Sequence, residues 1–169
     1  IAIGSGAMSS GLNLGSGDNQ VGVHSGGTGN TAVGNGAASG NRAGTYGVFI
    51  GNKAGGSATS GSNNTYVGNC AGFCYGGCDR ANGLSPAGNV AMGSNALVGD
   101  NGSYSKFLNV GCCNVAIGHG AGNGVSVASY NVYVGPHAGS GNTGGDDNIG
   151  LGRNALGATC DDTTASCNI

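Results

Sequence analysis

The residues with the most evident chemical capacity in this sequence are its seven cysteines. They are Cys70, Cys74, Cys78, Cys112, Cys113, Cys160 and Cys167. The first three form a C-x3-C-x3-C run, which could hold zinc or an iron–sulfur cluster, although the usual C-x2-C pair is missing. Disulfides are the favoured interpretation, because they would staple loops that have little core of their own. Free buried thiols are the second alternative, ahead of a metal site. The expected local pairs are Cys74–Cys78 and Cys160–Cys167, and no metal or other cofactor is predicted.

The other chemically capable residues show no catalytic pattern. His24, His119 and His137 lie in or beside a recurring glycine position, at sites otherwise occupied by solvated residues. The acidic pairs 146–147 and 161–162 could bind calcium in loops, but such pairs are usually only solvated. No catalytic pairing follows from either set, and the sequence predicts a protein that is not an enzyme.

The elements that position these residues are copies of one short repeat with the consensus N-β-x-Φ-G-x-x-A, in which β is mostly a β-branched and Φ an aliphatic residue. The motif glycines are Gly4, Gly34, Gly51, Gly68, Gly93, Gly118, Gly135 and Gly152. Alanine stands three places later in every copy, at Ala7, Ala37, Ala54, Ala71, Ala96, Ala121, Ala138 and Ala155. Asparagine stands four places before the glycine in six copies, and Gly47 replaces it in one. Self-similarity of this kind predicts a stacked repeat architecture.

The spacing of the copies indicates a 17-residue unit. The intervals between successive motif glycines, in chain order, are 30, 17, 17, 25, 25, 17 and 17. The two intervals of 25 suggest loops inserted near 73–88 and 97–110, and the interval of 30 suggests a degenerate copy that includes residues 20–27. Both ends of the sequence cut through a repeat. We therefore expect residues 1–169 to be a single array, taken from a longer chain.

Composition restricts the fold and the partners. The chain has 40 glycines, and Leu, Ile, Val and Phe together make up less than a fifth of it. The net charge of −2 is too small to indicate disorder. The five basic residues are scattered, which argues against nucleic-acid binding. No apolar run is long enough to cross a membrane. These features predict an all-β parallel β-solenoid of about nine coils, with the alanines as one buried column.

The strand alternation predicts which residues face outward. The residues three and one before the glycine share one face of a strand and are expected to point inward, which leaves the residue between them outside. That assignment places Phe49, Tyr66 and Tyr133 on an outer apolar stripe. Such stripes commonly mark an interface, so we expect the chain to form a homotrimer that covers it.

The segments 30–40 and 114–122, Asn-Thr-Ala-Val-Gly-Asn-Gly-Ala-Ala-Ser-Gly and Asn-Val-Ala-Ile-Gly-His-Gly-Ala-Gly, resemble head repeats of trimeric autotransporter adhesins. They are also similar to Gly- and Asn-rich repeats of phage and viral tail fibres. The resemblance covers essentially the whole chain through a short motif. It implies a trimer of β-rolls with shorter coils, so the 17-residue unit and the cysteine-bearing insertions depart from it. No binding residue carries over.

Together these observations favour a structural fibre or adhesin segment that displays receptor-binding loops. It would be extracellular, on a virion or a cell surface, and its partner besides itself would be a surface glycan or protein. Aromatic residues in the predicted insertions, Tyr75, Tyr104 and Phe107, are the candidate receptor contacts. The alternative is an ice- or mineral-binding β-solenoid. Such a protein would need a ladder of outward threonines, and the residue two before each motif glycine, which is assigned to the outside, does not form one. A polysaccharide-degrading β-helix is the third hypothesis. Such an enzyme would need clustered carboxylates or a Tyr/His/Arg site on stacked coils, and the sequence shows neither.

Overall fold

The computed structural model describes residues 1–7, 28–40, 44–56, 61–73, 86–99, 111–125, 128–141 and 144–157. The strands are β1 (Ala2–Ile3), β2 (Thr31–Val33), β3 (Val48–Ile50), β4 (Thr65–Val67), β5 (Val90–Met92), β6 (Val115–Ile117), β7 (Val132–Val134) and β8 (Ile149–Leu151). They form one sheet in chain order, every neighbouring pair is parallel, and no helix occurs in the described ranges. The predicted all-β parallel stack of repeats is therefore confirmed. Each coil is numbered below by the strand that it contains.

The repeat sets the register of the sheet, whatever the length of chain between two copies. Thr65 of β4 is opposite Val48 of β3 across a short interval, and also opposite Val90 of β5 across a long one. The longer intervals thus leave the pairing of the strands unchanged, as expected of inserted loops. β1 pairs directly with β2, since Ala2 lies opposite Ala32. The predicted degenerate copy at 20–27 lies outside the described residues.

The prediction of which strand residues face inward was wrong, and the two faces are exchanged. Phe49, Tyr66 and Tyr133, expected on an outer stripe, are buried in the interior. The β and Φ residues on either side of them, such as Ile50 and Val67, point outward. Alternation along a strand specifies which residues share a face, but not which face is buried. In this fold the buried face is the one that shares the interior with the motif alanines, and the middle residue of each strand lies on that face.

The motif alanines line the interior of the stack. Ala7, Ala37, Ala54, Ala71, Ala96, Ala121 and Ala138 are fully buried, and Ala155 in coil 8 is half-buried. The motif glycines make the sharp turn that brings each alanine inward. Gly34 has a φ of +133°, and a Cβ added to it would lie 2.4 Å from the carbonyl oxygen of Gly51 in the next coil. Any side chain at this position would push the coils apart, because that atom belongs to the backbone.

The asparagines form a buried ladder that joins consecutive coils. Oδ1 of Asn114 accepts a hydrogen bond from the backbone N–H of Asn131 at 3.0 Å, and its Nδ2 donates to the carbonyl oxygen of Ala128 at 2.8 Å. The same pattern recurs along the stack and satisfies buried backbone groups that no strand partner reaches. The series is interrupted at Gly47, where a Cβ would lie 2.4 Å from Cε2 of Phe49. The phenyl ring occupies the space that an asparagine side chain would need.

Two positions in each coil share the remaining interior volume: the middle residue of the strand, and the residue after the motif alanine. Where the first is aromatic, the second is glycine, as in Tyr66 with Gly72. Where the first is alanine, the second can be large, as in Ala91 with Leu97. Phe49 and Tyr66 meet edge to face across coils 3 and 4, with ring centroids 5.7 Å apart. The core is therefore filled by complementary pairs rather than by one residue type.

Candidate functional site

The outward side of the sheet, called the outer face below, is built from the β and Φ positions of the eight coils. Because parallel strands lie about 4.8 Å apart, these side chains form two columns along the stack. The β column contains Ile1, Thr31, Val48, Thr65, Val90, Val115, Val132 and Ile149, and the Φ column contains Ile3, Val33, Ile50, Val67, Met92, Ile117, Val134 and Leu151.

The Φ column is apolar in every coil, and the β column is interrupted only by two threonines. Ile50, Met92 and Ile117 remain 40%, 43% and 39% exposed in coils 3, 5 and 6. A contiguous apolar surface of this kind commonly marks an interaction site. The outer face is therefore the first candidate for a binding surface.

The exchange of faces also bears on ice binding. The residue two before each glycine, the position considered for a threonine ladder, points inward. On the outer face, Thr31 and Thr65 alternate with Val48 and Val90 at equivalent positions. The surface that an ice- or mineral-binding solenoid would present is therefore mostly aliphatic, with two threonines.

A second outward surface, called the turn surface below, lies just after each motif glycine. The second residue after the glycine adopts a left-handed conformation, with φ of 54° at Lys53, 57° at Asn95 and 57° at His137. Its backbone N–H donates to the preceding coil, as from Lys53 to the carbonyl oxygen of Asn35 at 2.8 Å. The first residue after the glycine stacks in its own column, where Nδ2 of Asn52 lies 3.4 Å from Oδ1 of Asn35. The turn therefore holds its side chains in a regular array.

Two histidines meet on the turn surface, although their positions along the chain do not suggest a pair. His119 is the first residue after Gly118, and His137 is the second residue after Gly135, so they occupy different columns of adjacent coils. Their ring centroids are 5.2 Å apart and their planes are at 89°. The pairing follows from the repeat, since an offset of one repeat plus one residue places two side chains diagonally across neighbouring coils.

The described cysteines are all free thiols. Cys70 is buried, Cys112 is half-buried and Cys113 is exposed. Desolvation, followed by a hydrogen bond to Cys112, raises the pKa of the Cys113 thiol. The charge that Cys112 can carry is the first cause that raises the pKa of the nearby Tyr130 hydroxyl. In the described ranges, no three His, Cys, Asp or Glu side chains come together as a metal site.

The remaining predicted residues divide between described and undescribed parts of the chain. The predicted disulfide partners Cys74, Cys78, Cys160 and Cys167 lie outside the described residues, as do the receptor candidates Tyr75, Tyr104 and Phe107. The same is true of residues 161–162 and of His24.

The acidic pair 146–147 lies within the described part. Oδ1 of Asp146 accepts a hydrogen bond from the backbone N–H of Ser129 at 2.7 Å. That carboxylate thus has a structural contact between coils 7 and 8. Asp146 and Asp147 are both exposed.

One pocket lies at the β8 end of the stack. It has a volume of about 240 Å³ and is lined by Ile149, Gly150, Leu151, Ala155 and Leu156. Its lining contains no ionisable side chain, so it offers shape and apolar surface but no acid, base or nucleophile.

Comparison with protein-family models, with curated proteins and with solved structures gave no match. Among the residues that the structure describes, no helix has the length and apolar character needed to cross a membrane. The geometry of this chain is therefore the basis on which a function can be inferred.

Proposed function

We propose that this chain is a segment of a non-enzymatic structural fibre, either of a phage or viral tail fibre or of a cell-surface adhesin head. The observation that carries this proposal is the outer face, with its unbroken apolar Φ column on a regular parallel stack. A stack of this kind gains length by repetition, because each coil contacts mainly the coils on either side. Its use is mechanical: it holds a surface at a fixed distance and in a fixed orientation.

The partner that fits the outer face best is another copy of the same chain. The face repeats every coil, so a second copy in parallel alignment presents the same spacing and can match it over the full length. Three copies around a threefold axis close the assembly and cover all three faces. We therefore propose a homotrimer, extracellular, on a virion or a cell surface. The parts of the predicted insertions between the described ranges, 74–85 and 100–110, would face a receptor glycan or protein.

Sedimentation of the chain, compared with an outer-face variant, tests this proposal. The variant combines Ile50→Asn, Met92→Asn and Ile117→Asn, which remove apolar side chains from the Φ column while leaving the interior intact. We expect the parent chain to sediment as a trimer at micromolar concentration and the variant as a monomer with unchanged β circular dichroism. The cause is the loss of apolar area from the contact between chains.

The matched control combines Asn52→Ser, Lys53→Ser and Arg153→Ser, which change three exposed residues of the turn surface. This control should remain a trimer. A parent chain that is monomeric, or an outer-face variant that stays trimeric, contradicts the proposed assembly. Binding of the parent to glycan arrays or host cells, and its loss on Tyr75→Ala with Tyr104→Ala, tests the proposed role of the loops.

The regular outer face also favours a second candidate function, binding to ice or to a mineral surface. Its evenly spaced β-branched residues, including Thr31 and Thr65, form the kind of flat array that a crystal face can match. Inhibition of ice recrystallisation by monomeric parent chain, abolished in the outer-face variant, would support this candidate over the fibre.

A further inference from the structure

The two histidines of the turn surface come from different coils and are held close together by the backbone. The backbone N–H of His137 donates to the carbonyl oxygen of His119 at 2.9 Å. Their imidazole centroids are 5.2 Å apart, with planes at 89°. Both side chains are exposed, so each ring can turn about its side-chain torsions while its Cα position stays fixed.

Gly120 makes room for this arrangement. It precedes His137 by one coil in the same column, and a Cβ added to it would lie 2.8 Å from Nδ1 of His137. Glycine also occupies this position in coils 1 and 2, at Gly6 and Gly36, whereas coils 3 and 5 have Lys53 and Asn95. Because Gly120 has no side chain, the ring of His137 can occupy the space beside His119. No side chain at position 120 crowds Nδ1 of His137.

The separation of the rings is that of two ligands of one ion. Neutral imidazole nitrogen is the most common side-chain ligand of late first-row divalent metals. With metal–nitrogen bonds of about 2.0–2.1 Å and tetrahedral angles, two imidazoles on one ion have centroids about 5 Å apart. The rings of His119 and His137 already have this separation, so only rotation of the rings is needed to aim one nitrogen of each at a shared position.

We propose that His119 and His137 form a two-imidazole chelate for a divalent ion such as Cu²⁺, Ni²⁺ or Zn²⁺. No third His, Cys, Asp or Glu among the described residues joins them, so water completes the coordination. The bound ion links coils 6 and 7 from outside, in addition to the backbone bond between them. This inference does not depend on the proposed fibre, because both ligands come from one chain.

Isothermal titration with Ni²⁺ as the only added ion tests the site in the full chain, and His119→Asn and His137→Asn are the informative variants. Asparagine occurs naturally in both columns, at Asn69 and Asn95, so these substitutions preserve the turn. We expect each variant to bind Ni²⁺ at this site at least about tenfold more weakly, because one ligand cannot chelate. The double variant should lose the site altogether.

The control is His24→Asn, which removes the remaining histidine of the sequence and should leave Ni²⁺ affinity at this site unchanged. Electron paramagnetic resonance of bound Cu²⁺ adds a second readout: coupling to two imidazole nitrogens in the parent chain and to one in each single variant. Unchanged Ni²⁺ binding in the double variant, or Cu²⁺ spectra with one nitrogen in the parent, would overturn the proposal.

Transplanting the pair to another coil tests whether the diagonal geometry itself makes the site. Asn69 and Asn95 occupy the same two columns in coils 4 and 5, and the N–H of Asn95 donates to the carbonyl oxygen of Asn69 at 2.9 Å. Asn69→His with Asn95→His is introduced into the His119→Asn/His137→Asn background together with Cys70→Gly, which reproduces Gly120 and removes a competing free thiol. This variant should restore Ni²⁺ binding. Failure to restore it in a folded variant would show that the diagonal does not suffice and would count against the proposal.

Discussion

Coils 4 and 5 have the same backbone and fill the same interior volume in opposite ways. In coil 4 the strand supplies the bulk through Tyr66, and the turn contributes only Gly72, whose added Cβ would lie 2.4 Å from the tyrosine ring. In coil 5 the strand has Ala91, and the turn supplies Leu97, which is buried. Both turn residues have a left-handed φ, 61° at Gly72 and 49° at Leu97. In these two coils the same backbone therefore accommodates one large side chain, which either the strand or the turn can supply.

The same complementarity holds within coils 3, 7 and 8, whereas coils 2 and 6 each have two small residues. The pairs are Ala32 with Ala38, Phe49 with Gly55, Tyr66 with Gly72, Ala91 with Leu97, Ala116 with Gly122, Tyr133 with Gly139, and Gly150 with Leu156. Coil 6 has two small residues, Ala116 and Gly122. A Cβ on Gly122 would lie 2.8 Å from Leu97 and 3.3 Å from Tyr133, so the neighbours on both sides fill its space. Packing is thus balanced over neighbouring coils and not within each coil alone.

Removing the bulk from coil 4 should have the largest effect. Tyr66→Ala leaves a cavity beside Gly72 that no side chain of that coil can fill, and we expect it to lower the free energy of unfolding by about 3–5 kcal/mol. Urea unfolding followed by circular dichroism measures the loss. Tyr130→Ala, which removes a tyrosine that is 59% exposed, should cost less than about 0.5 kcal/mol. Equal losses in the two variants would contradict the assignment of Tyr66 to the interior.

Converting coil 4 into the pattern of coil 5 tests the complementarity directly. Gly72→Leu alone overpacks the tyrosine ring and should cost about 1–3 kcal/mol. Combined with Tyr66→Ala, the leucine enters the vacated space, as Leu97 does beside Ala91. The double variant should then be more stable than the sum of the single changes predicts, by about 1–3 kcal/mol. Simple additivity in a double-mutant cycle would show that the two positions do not share one volume.

The smallest expected difference in stability is between two glycine-to-alanine changes, one next to a rigid aromatic ring and one next to the flexible end of a leucine. Gly139→Ala brings a methyl group to within 2.3 Å of the Tyr133 ring, whereas Gly122→Ala brings one to within 2.8 Å of the end of Leu97. Their φ values are 60° at Gly122 and 64° at Gly139, so backbone strain is nearly the same in both. We expect Gly139→Ala to destabilise by about 1–3 kcal/mol and Gly122→Ala by about 1 kcal/mol less. The ranking of their thermal midpoints checks this, and a reversed order would mean that ring contact is not the cause.

The sequence predicts the stacking and its register but not which strand face is buried. Register follows from the repeat, because equivalent residues such as Val48, Thr65 and Val90 align at every rung. The prediction of the buried face assumed that large β-branched residues are interior, whereas in this fold they form the outer face. In coils 4 and 5 the size of the middle strand residue varies inversely with the size of the residue after the motif alanine, as in Tyr66 with Gly72 and Ala91 with Leu97. This inverse relation in size is the signal in the sequence that identifies the buried strand position.

The sequence predicted the positions of side chains that recur at the same place in every repeat, but not contacts between residues at different places in neighbouring repeats. His119 and His137 fall one residue off the repeat period, and local spacing along the chain does not bring them together. Once the coils are stacked, that offset becomes a diagonal contact. Gly47 is a similar case: the ring of Phe49 occupies the space where the consensus predicts an asparagine, although Asn64 and Asn131 are retained two places before Tyr66 and Tyr133.

The asparagine ladder gives the stack a polarity. From Asn30 to Asn131, each asparagine Oδ1 in it accepts from the coil that follows in sequence: Asn30 from Gly47, Asn89 from Asn114, and Asn131 from Asn148. The side-chain amides therefore point the same way along the axis, and consecutive bonds polarise one another. A coil laid on top in the reverse sense would bring acceptor to acceptor. The ladder would therefore continue from one stack into another only in a head-to-tail contact, which joins two different ends and not two copies of the same end.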